Sequence, residues 1–127
     1  MVINMKIIST ESAPAAIGPY SQAVAAGGLL FASGQIPLTV AGSIAEGGIT
    51  EQTEQVMKNI GAVLSAAGCG FTDVIKATCF LTDMENFAAF NEVYSKYFTG
   101  KPARSTVAVS ALPRNVLVEV EVVAEFN

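Results

Sequence analysis

The sequence contains no histidine and no tryptophan, and it has only two cysteines in 127 residues. Without histidine the chain cannot form a Ser-His-Asp or Cys-His catalytic group or an imidazole metal site. The two cysteines, Cys69 and Cys79, are too few for a disulfide framework and too isolated for a zinc site. They favour buried thiols in a reducing compartment. We therefore expect no metal ion and no cofactor.

Charge is also scarce, since 14% of the residues are charged against about 25% in an average soluble domain. The 11 acidic residues outnumber the 7 basic ones, which argues against a strong nucleic-acid binder with a basic face. Large exposed apolar patches usually mark interaction sites. We therefore expect part of this bare surface to be buried against other copies of the chain.

The longest uncharged stretch, residues 12–45, does not resemble a membrane span. A spanning helix needs about 20 apolar residues without breaks, and this stretch is interrupted at Pro14, Gly18-Pro19, Gly27-Gly28 and Pro37. Residues 1–6 lack the basic region and apolar core of a signal peptide. We expect a single domain over residues 1–127, located in the cytoplasm and not associated with a membrane.

Hydrophobic spacing predicts eight elements in the order β-β-β-α-β-α-β-β. The first half contains an edge strand at 6–10 and a hairpin whose turn is Gly27-Gly28. A helix follows, for which Thr50 is the expected N-cap and Gly68 the end. Its apolar stripe consists of Val56, Ile60, Val63, Leu64 and Ala67.

The second half begins with a strand at 74–82 and continues with a helix that Asp83 or Asn86 can cap. The aromatic stripe of this helix indicates core packing, and it consists of Phe87, Phe90, Tyr94, Tyr97 and Phe98. Strands at 105–109 and 116–126 complete the chain. The pattern predicts an α+β domain, with two helices on one face of a mainly antiparallel sheet. If the other face is apolar, another subunit must cover it.

The last strand carries acidic residues among apolar ones. Its even positions from Val116 to Ala124 are apolar and should pack under the helices, whereas the odd positions include Glu119 and Glu121 and should face away. Glu119 is a candidate functional carboxylate, and charges that discourage aggregation are the alternative. Arg104 is one of two arginines and offers a planar fork for a carboxylate. From the sequence it fits a ligand clamp and an ion pair with a strand glutamate equally well.

Two turn segments combine hydroxyl and amide groups of the kind that orient a small polar ligand. They are residues 17–22, Ile-Gly-Pro-Tyr-Ser-Gln, and residues 32–37, Ala-Ser-Gly-Gln-Ile-Pro. Each segment alone is typical of an ordinary turn.

Taken together, seven segments in this order resemble the RidA family, also called YjgF, over nearly the whole chain. They are the segments that begin at Ala15, Ala32, Gln55, Val74, Phe87, Pro102 and Leu112. The resemblance implies a chorismate mutase-like α+β subunit. It also implies a homotrimer in which three sheets form a central barrel and intersubunit clefts hold small imino or keto acids.

The resemblance also implies a reaction, the hydrolysis of 2-imino or enamine acids such as 2-iminobutanoate and 2-iminopropanoate to 2-keto acids and ammonia. By match to the family pattern, Arg104 binds the substrate carboxylate and Glu119 orients or activates the attacking water. The positions that match the cleft lining are Tyr20, Ser33, Gly34 and Asn91. Thr106, which we also expect to contact the substrate, replaces a cysteine that is common in deaminase members, and this puts substrate preference in doubt more than the fold.

Other functions are compatible with the same pattern. Many relatives were first named endoribonucleases or translation inhibitors, although the acidic balance and the missing histidine disfavour RNA cleavage. A third possibility is a non-enzymatic module that binds small carboxylates through Arg104, or a chaperone-like trimer. Nucleic acid is the less favoured partner.

Overall fold

The computed structural model describes residues 4–127 and contains the predicted order of strands and helices. The expectation that the N-terminus is not a signal peptide falls partly on residues 1–3, which lie outside the described residues. The elements are β1 (Lys6–Ile8), β2 (Ala23–Ala26), β3 (Leu29–Ala32), α1 (Ile49–Ala66), β4 (Val74–Leu81), α2 (Phe87–Tyr97), β5 (Ala103–Ala108) and β6 (Val118–Glu125).

The six strands form one sheet in the order β1-β2-β3-β6-β4-β5. Every neighbouring pair is antiparallel except β4 and β5, which run parallel because α2 connects them as a crossover. The mainly antiparallel sheet is confirmed. The predicted hairpin turn is also confirmed, since Gly27 and Gly28 both have positive φ, at 61° and 78°, as a two-residue type I′ turn requires.

The predicted start of α1 was wrong by two residues. The N-cap is Gly48, whose backbone N–H donates to the Glu51 carboxylate at 2.8 Å, and Thr50 lies inside the helix. The glutamate reaching back to the cap satisfies a backbone donor that has no helical partner. The end is as predicted, with Gly68 at φ 77°. Neither α1 nor α2, the helices of residues 4–127, combines the length and hydropathy needed to cross a bilayer.

Both helices pack on one face of the sheet, as predicted. The even positions of the last strand, Val116 to Ala124, are at most 2% exposed and belong to this core. The odd positions of β6 lie on the other face, where the strand register aligns Ile7, Val24, Phe31 and Val123 in one row across four strands. Phe31 is 48% exposed, so a partly apolar face is left uncovered in the single chain.

Candidate active site in two halves

Arg104 is held by one stripe of α2. Its Nη1 donates to Asn91 Oδ1 at 2.6 Å, and its guanidinium carbon lies 4.7 Å from the centre of the Tyr94 ring and 5.5 Å from that of Phe87. Phe87, Asn91 and Tyr94 are spaced i, i+4, i+7, which places them on one helix face. The two aromatic rings and the amide fix the guanidinium, and its remaining N–H donors stay available. We call this group, with Thr106, the arginine site.

Strand pairing sets the direction in which Arg104 points. Arg104 lies beside Ala77 in β4, and Ala77 lies beside Val122 in β6. Ala77 and Val122 are buried under the helices. Because paired residues share a face of the sheet, Arg104 points to the helix side, toward an open cleft that it lines with Tyr94, Phe98 and Lys101.

Thr106 follows Arg104 by two residues on the same face of β5, and it lies beside Cys79 of β4. Its hydroxyl and that of Tyr94 are buried, and neither has a hydrogen-bond partner among residues 4–127. Burial raises the pKa of the Cys79 thiol to about 11 against the opposing effect of the Arg104 charge. Burial likewise raises the pKa of Tyr94 to about 12. These groups are neutral at physiological pH, so the guanidinium supplies the charge of the arginine site.

Glu119 lies on the opposite face of the sheet. It pairs with Phe80 on the side away from the helices and lines a cavity of about 350 Å³ with Tyr20, Ser33, Gly34, Ile36 and Pro113. We call these six residues the glutamate site. A Cβ at position 34 would overlap the Glu119 carboxylate, so this close approach requires glycine. Burial, and secondly the charge of Glu121, raise the pKa of Glu119 above its usual range.

The loops of the glutamate site are joined by short hydrogen bonds. Ser33 Oγ donates to the Ser21 carbonyl at 2.6 Å, and the Tyr20 hydroxyl accepts from the Ile17 backbone N–H at 3.3 Å. The Ser33 hydroxyl proton is thereby used to connect two loops. Tyr20 is 52% exposed, so its ring stands at the mouth of the cavity.

Three buried amides hold these loops in place. Asn59, 1% exposed, donates to the carbonyls of Ile36 and Leu38 at 3.0 and 2.9 Å. Gln52 accepts from the backbone N–H of Leu117 at 2.8 Å. Gln22 donates to the Pro14 carbonyl at 2.8 Å and accepts from the Thr10 N–H at 2.7 Å, besides longer contacts with the same loop.

The sequence reasoning missed Asn59 and Gln52, and it considered the Gln22 amide as a ligand-orienting group, whereas that amide binds backbone. Their partners are backbone groups of distant loops, which leave no local pattern. Two of them did leave a weak signal in the sequence. Gln52 and Asn59 are seven residues apart and lie next to the apolar stripe of α1, so both are expected on the buried face of the helix rather than on its surface. The role of two aromatic stripe residues in holding Arg104 was missed as well, although Phe90, Tyr94 and Phe98 do lie in the core as predicted.

The seven predicted site residues therefore fall into two groups within one chain. Arg104, Asn91 and Thr106 belong to the arginine site, and the other four belong to the glutamate site. The alternative of an ion pair between Arg104 and a strand glutamate does not occur within residues 4–127, where the ion pair is Lys96 with Glu54 at 4.0 Å. In the same residues no cluster of three acidic or thiol side chains could hold a metal ion.

Comparison with known proteins identifies relatives along nearly the whole chain. The family model described as "Endoribonuclease L-PSP" matches residues 10–126. A RutC family protein of Pyrococcus horikoshii is 54% identical over 121 residues, which are 94% of this chain and 96% of that protein. The mouse 2-iminobutanoate/2-iminopropanoate deaminase is 49% identical over 124 residues, which are 96% of this chain and 92% of that protein. Escherichia coli TdcF, whose crystal structure contains bound serine, is 42% identical in sequence. The match covers 96% of this chain and 99% of that chain, and the two structures superpose with a TM-score of 0.91.

Proposed function

Because the chain belongs to the endoribonuclease L-PSP family, also known as the RidA or YjgF family, we propose that it hydrolyses 2-imino acids to 2-keto acids and ammonia. The observation that carries the proposal is the pair of half-sites. One presents a guanidinium whose orientation is fixed, and the other presents a carboxylate whose pKa is raised. Relatives from mouse, goat and cow at 49% identity carry the deaminase name, and TdcF binds serine, itself a small α-carboxylate.

Arg104 would bind the substrate carboxylate. A guanidinium grips a carboxylate through two parallel charge-assisted hydrogen bonds, and here one Nη already donates to Asn91. The rings of Phe87 and Tyr94 restrict its rotation. Fixing the carboxylate also fixes the adjacent imine carbon, a positional effect that can supply several kcal/mol of barrier reduction.

Glu119 would accept a proton from the attacking water. The water oxygen bonds to the imine carbon while the C=N electron pair moves to nitrogen, which gives a carbinolamine. Glu119 returns its proton to the nitrogen, which completes the amino group. A second proton then moves from the carbinolamine hydroxyl to the nitrogen as the C–N bond breaks, so that ammonia leaves and the keto group forms. A carboxylate with a raised pKa is a better base than an ordinary one, and such general-base assistance contributes about 10²- to 10⁴-fold in rate.

The two half-sites would meet between subunits of a homotrimer. Arg104 and Glu119 point to opposite faces of one sheet, so one chain cannot direct both at a single small substrate. A cyclic trimer generates three equivalent contacts between unlike faces. The partly apolar face around Phe31 is the surface such an assembly would bury. A cytoplasmic location, in line with the free thiols Cys69 and Cys79, completes the proposal.

The endoribonuclease activity named in the family description is the alternative function. An acidic chain with a net charge of −4 is poorly suited to RNA, because binding to phosphates depends on basic residues. Titration with RNA at increasing salt tests this alternative, since phosphate-driven binding weakens steeply as salt rises.

A coupled assay tests the proposed reaction. A threonine dehydratase generates 2-iminobutanoate while semicarbazide competes to trap it, and less trapped product means faster hydrolysis. We expect the wild-type protein to accelerate hydrolysis and Glu119→Gln to lose about 10²-fold. Glu125→Gln, on the same face of the same strand and exposed, is the matched control and should retain the activity. Trimeric wild-type protein that performs no better than buffer would refute the proposal.

A further inference from the structure

A second, apolar cavity adjoins the glutamate site. It has a volume of about 250 Å³ and shares four of the six residues of the glutamate site: Tyr20, Gly34, Ile36 and Pro113. Because these four residues border both cavities, the two cavities lie side by side. We call this cavity the side-chain chamber.

The rest of the chamber is lined mainly by aliphatic groups. Pro14, Ala15, Ile17 and Leu38 contribute to it. Two amide residues also border it. Gln22 is engaged with the backbone of residues 10–14, and Gln35 is 7% exposed. Arg114 stands at the exposed rim, where its Nη1 donates to the Gly42 carbonyl at 3.2 Å. The interior therefore favours an apolar group.

The size of the chamber exceeds what the smallest imino acids need. An apolar cavity of about 150 Å³ holds a benzene ring, whereas 2-iminopropanoate would present only a methyl group to this one. Each buried methylene contributes about 0.8 kcal/mol. An isobutyl or benzyl side chain would therefore gain binding energy that a methyl group cannot.

We propose that the side-chain chamber binds the side chain of the substrate, and that the chain prefers 2-imino acids with large apolar side chains, such as those formed from leucine and phenylalanine. This inference rests on the proposed reaction for its catalytic part. It adds that an enzyme oxidising large apolar amino acids supplies the imine.

The test compares imines that an L-amino-acid oxidase, with catalase present, makes from alanine, leucine, phenylalanine and glutamate, again with semicarbazide as the competing trap. We expect kcat/KM for the leucine and phenylalanine imines to exceed that for the alanine imine by about tenfold or more, from the added methylenes. Ala15→Phe, which fills the chamber, should lower this ratio about tenfold. Ala16→Phe, at the next residue but not lining the chamber, should leave the ratio unchanged.

Calorimetric titration with the keto acids pyruvate and 4-methyl-2-oxopentanoate measures binding without catalysis. Tighter binding of the larger keto acid, abolished by Ala15→Phe, supports the chamber even if no imine is hydrolysed, and in that case only the proposed reaction fails. Equal binding of the two keto acids overturns the chamber. The chamber is also overturned if small imines are hydrolysed faster than large ones, or if Ala15→Phe leaves the kcat/KM ratio of large to small imines unchanged. A preference for the glutamate imine would likewise overturn it and would indicate binding by Arg114 instead.

Discussion

The arginine site and the glutamate site are constructed in different ways. The first stands on regular elements, with three residues of one face of α2 around a residue of β5. The second takes only Glu119 from a strand and its other residues from loops near positions 20, 34 and 113. Helix and strand packing alone fixes the arginine. The loops around the glutamate depend instead on buried amides, so the two sites should respond differently to mutation.

Arg104→Ala should have the largest effect. It removes two charge-assisted hydrogen bonds to the substrate, each contributing about 1.5–3 kcal/mol, so kcat/KM should fall by about 10²- to 10⁴-fold. Arg104→Lys keeps the positive charge but loses the planar pair of donors, so its kcat/KM should lie between those of the wild type and Arg104→Ala. The coupled imine assay measures both, with circular dichroism to verify folding. Full activity of Arg104→Ala would exclude the arginine site from binding the substrate.

Asn59→Leu should damage the glutamate site from a distance. It leaves the Leu38 carbonyl without its donor, whereas the Ile36 carbonyl still accepts from the Leu38 N–H at 2.7 Å. An unsatisfied buried group costs about 1–3 kcal/mol, and we expect a loss of about this size in the free energy of unfolding, measured in urea, together with a lower kcat. Gln55→Ala is the control, because it removes only the bond to Asn59 Oδ1. Equal stability of both variants would show that the loops do not depend on Asn59.

Thr106→Val should stabilise the arginine site. The substitution keeps the shape of the side chain and removes a buried hydroxyl that has no geometrically formed hydrogen bond in the described chain and only a weak interaction with the Cys79 thiol, so we expect a gain of about 1 kcal/mol. KM should stay unchanged if the residue only supports Arg104 from beneath. A higher KM without a gain in stability would instead favour the substrate contact that the family resemblance implies. Urea unfolding and the imine assay distinguish the two outcomes.

Glu121→Gln should shift the pH profile of the glutamate site. The charge of Glu121 contributes to the raised pKa of Glu119, and a general base is active only when ionised. Activity therefore falls as the pH decreases through this pKa. Removing the Glu121 charge lowers the pKa, so the acid limb of kcat/KM should move to lower pH, whereas Glu125→Gln should leave it in place. A shift to higher pH would contradict Glu119 as the base.

The same contrast explains what could be predicted from the sequence. Periodicity located both helices and all six strands, and the alternation in β6 placed Glu119 away from the core because Val118 and Val120 beside it are apolar. Alternation could not orient Arg104, since both faces of the edge strand β5 carry small or polar residues. Its direction follows from the parallel pairing with β4, a long-range contact. The amides Asn59 and Gln22 bind the backbone of distant loops, and no local pattern could name those partners.

The family pattern named all seven candidate residues but not their separation. A motif records which residue types occur and in what order, whereas the face that each residue occupies depends on strand pairing. The register of β4 with β5 and with β6 supplied what the motif could not: Arg104 and Glu119 of one chain point to opposite faces of the sheet. The proposed function therefore combines them from two different chains.

Mixing two inactive variants tests this claim most directly. Arg104→Ala and Glu119→Gln, co-expressed in equal amounts with different tags and purified through both, should form trimers in which an intact arginine site adjoins an intact glutamate site of the next subunit. Every mixed cyclic trimer, whichever variant is in the majority, contains one intact site among its three, so the doubly purified protein should recover to about a third of wild-type activity. If verified mixed trimers show no more activity than the two variants measured separately, both groups belong to one chain and the account of two half-sites is wrong.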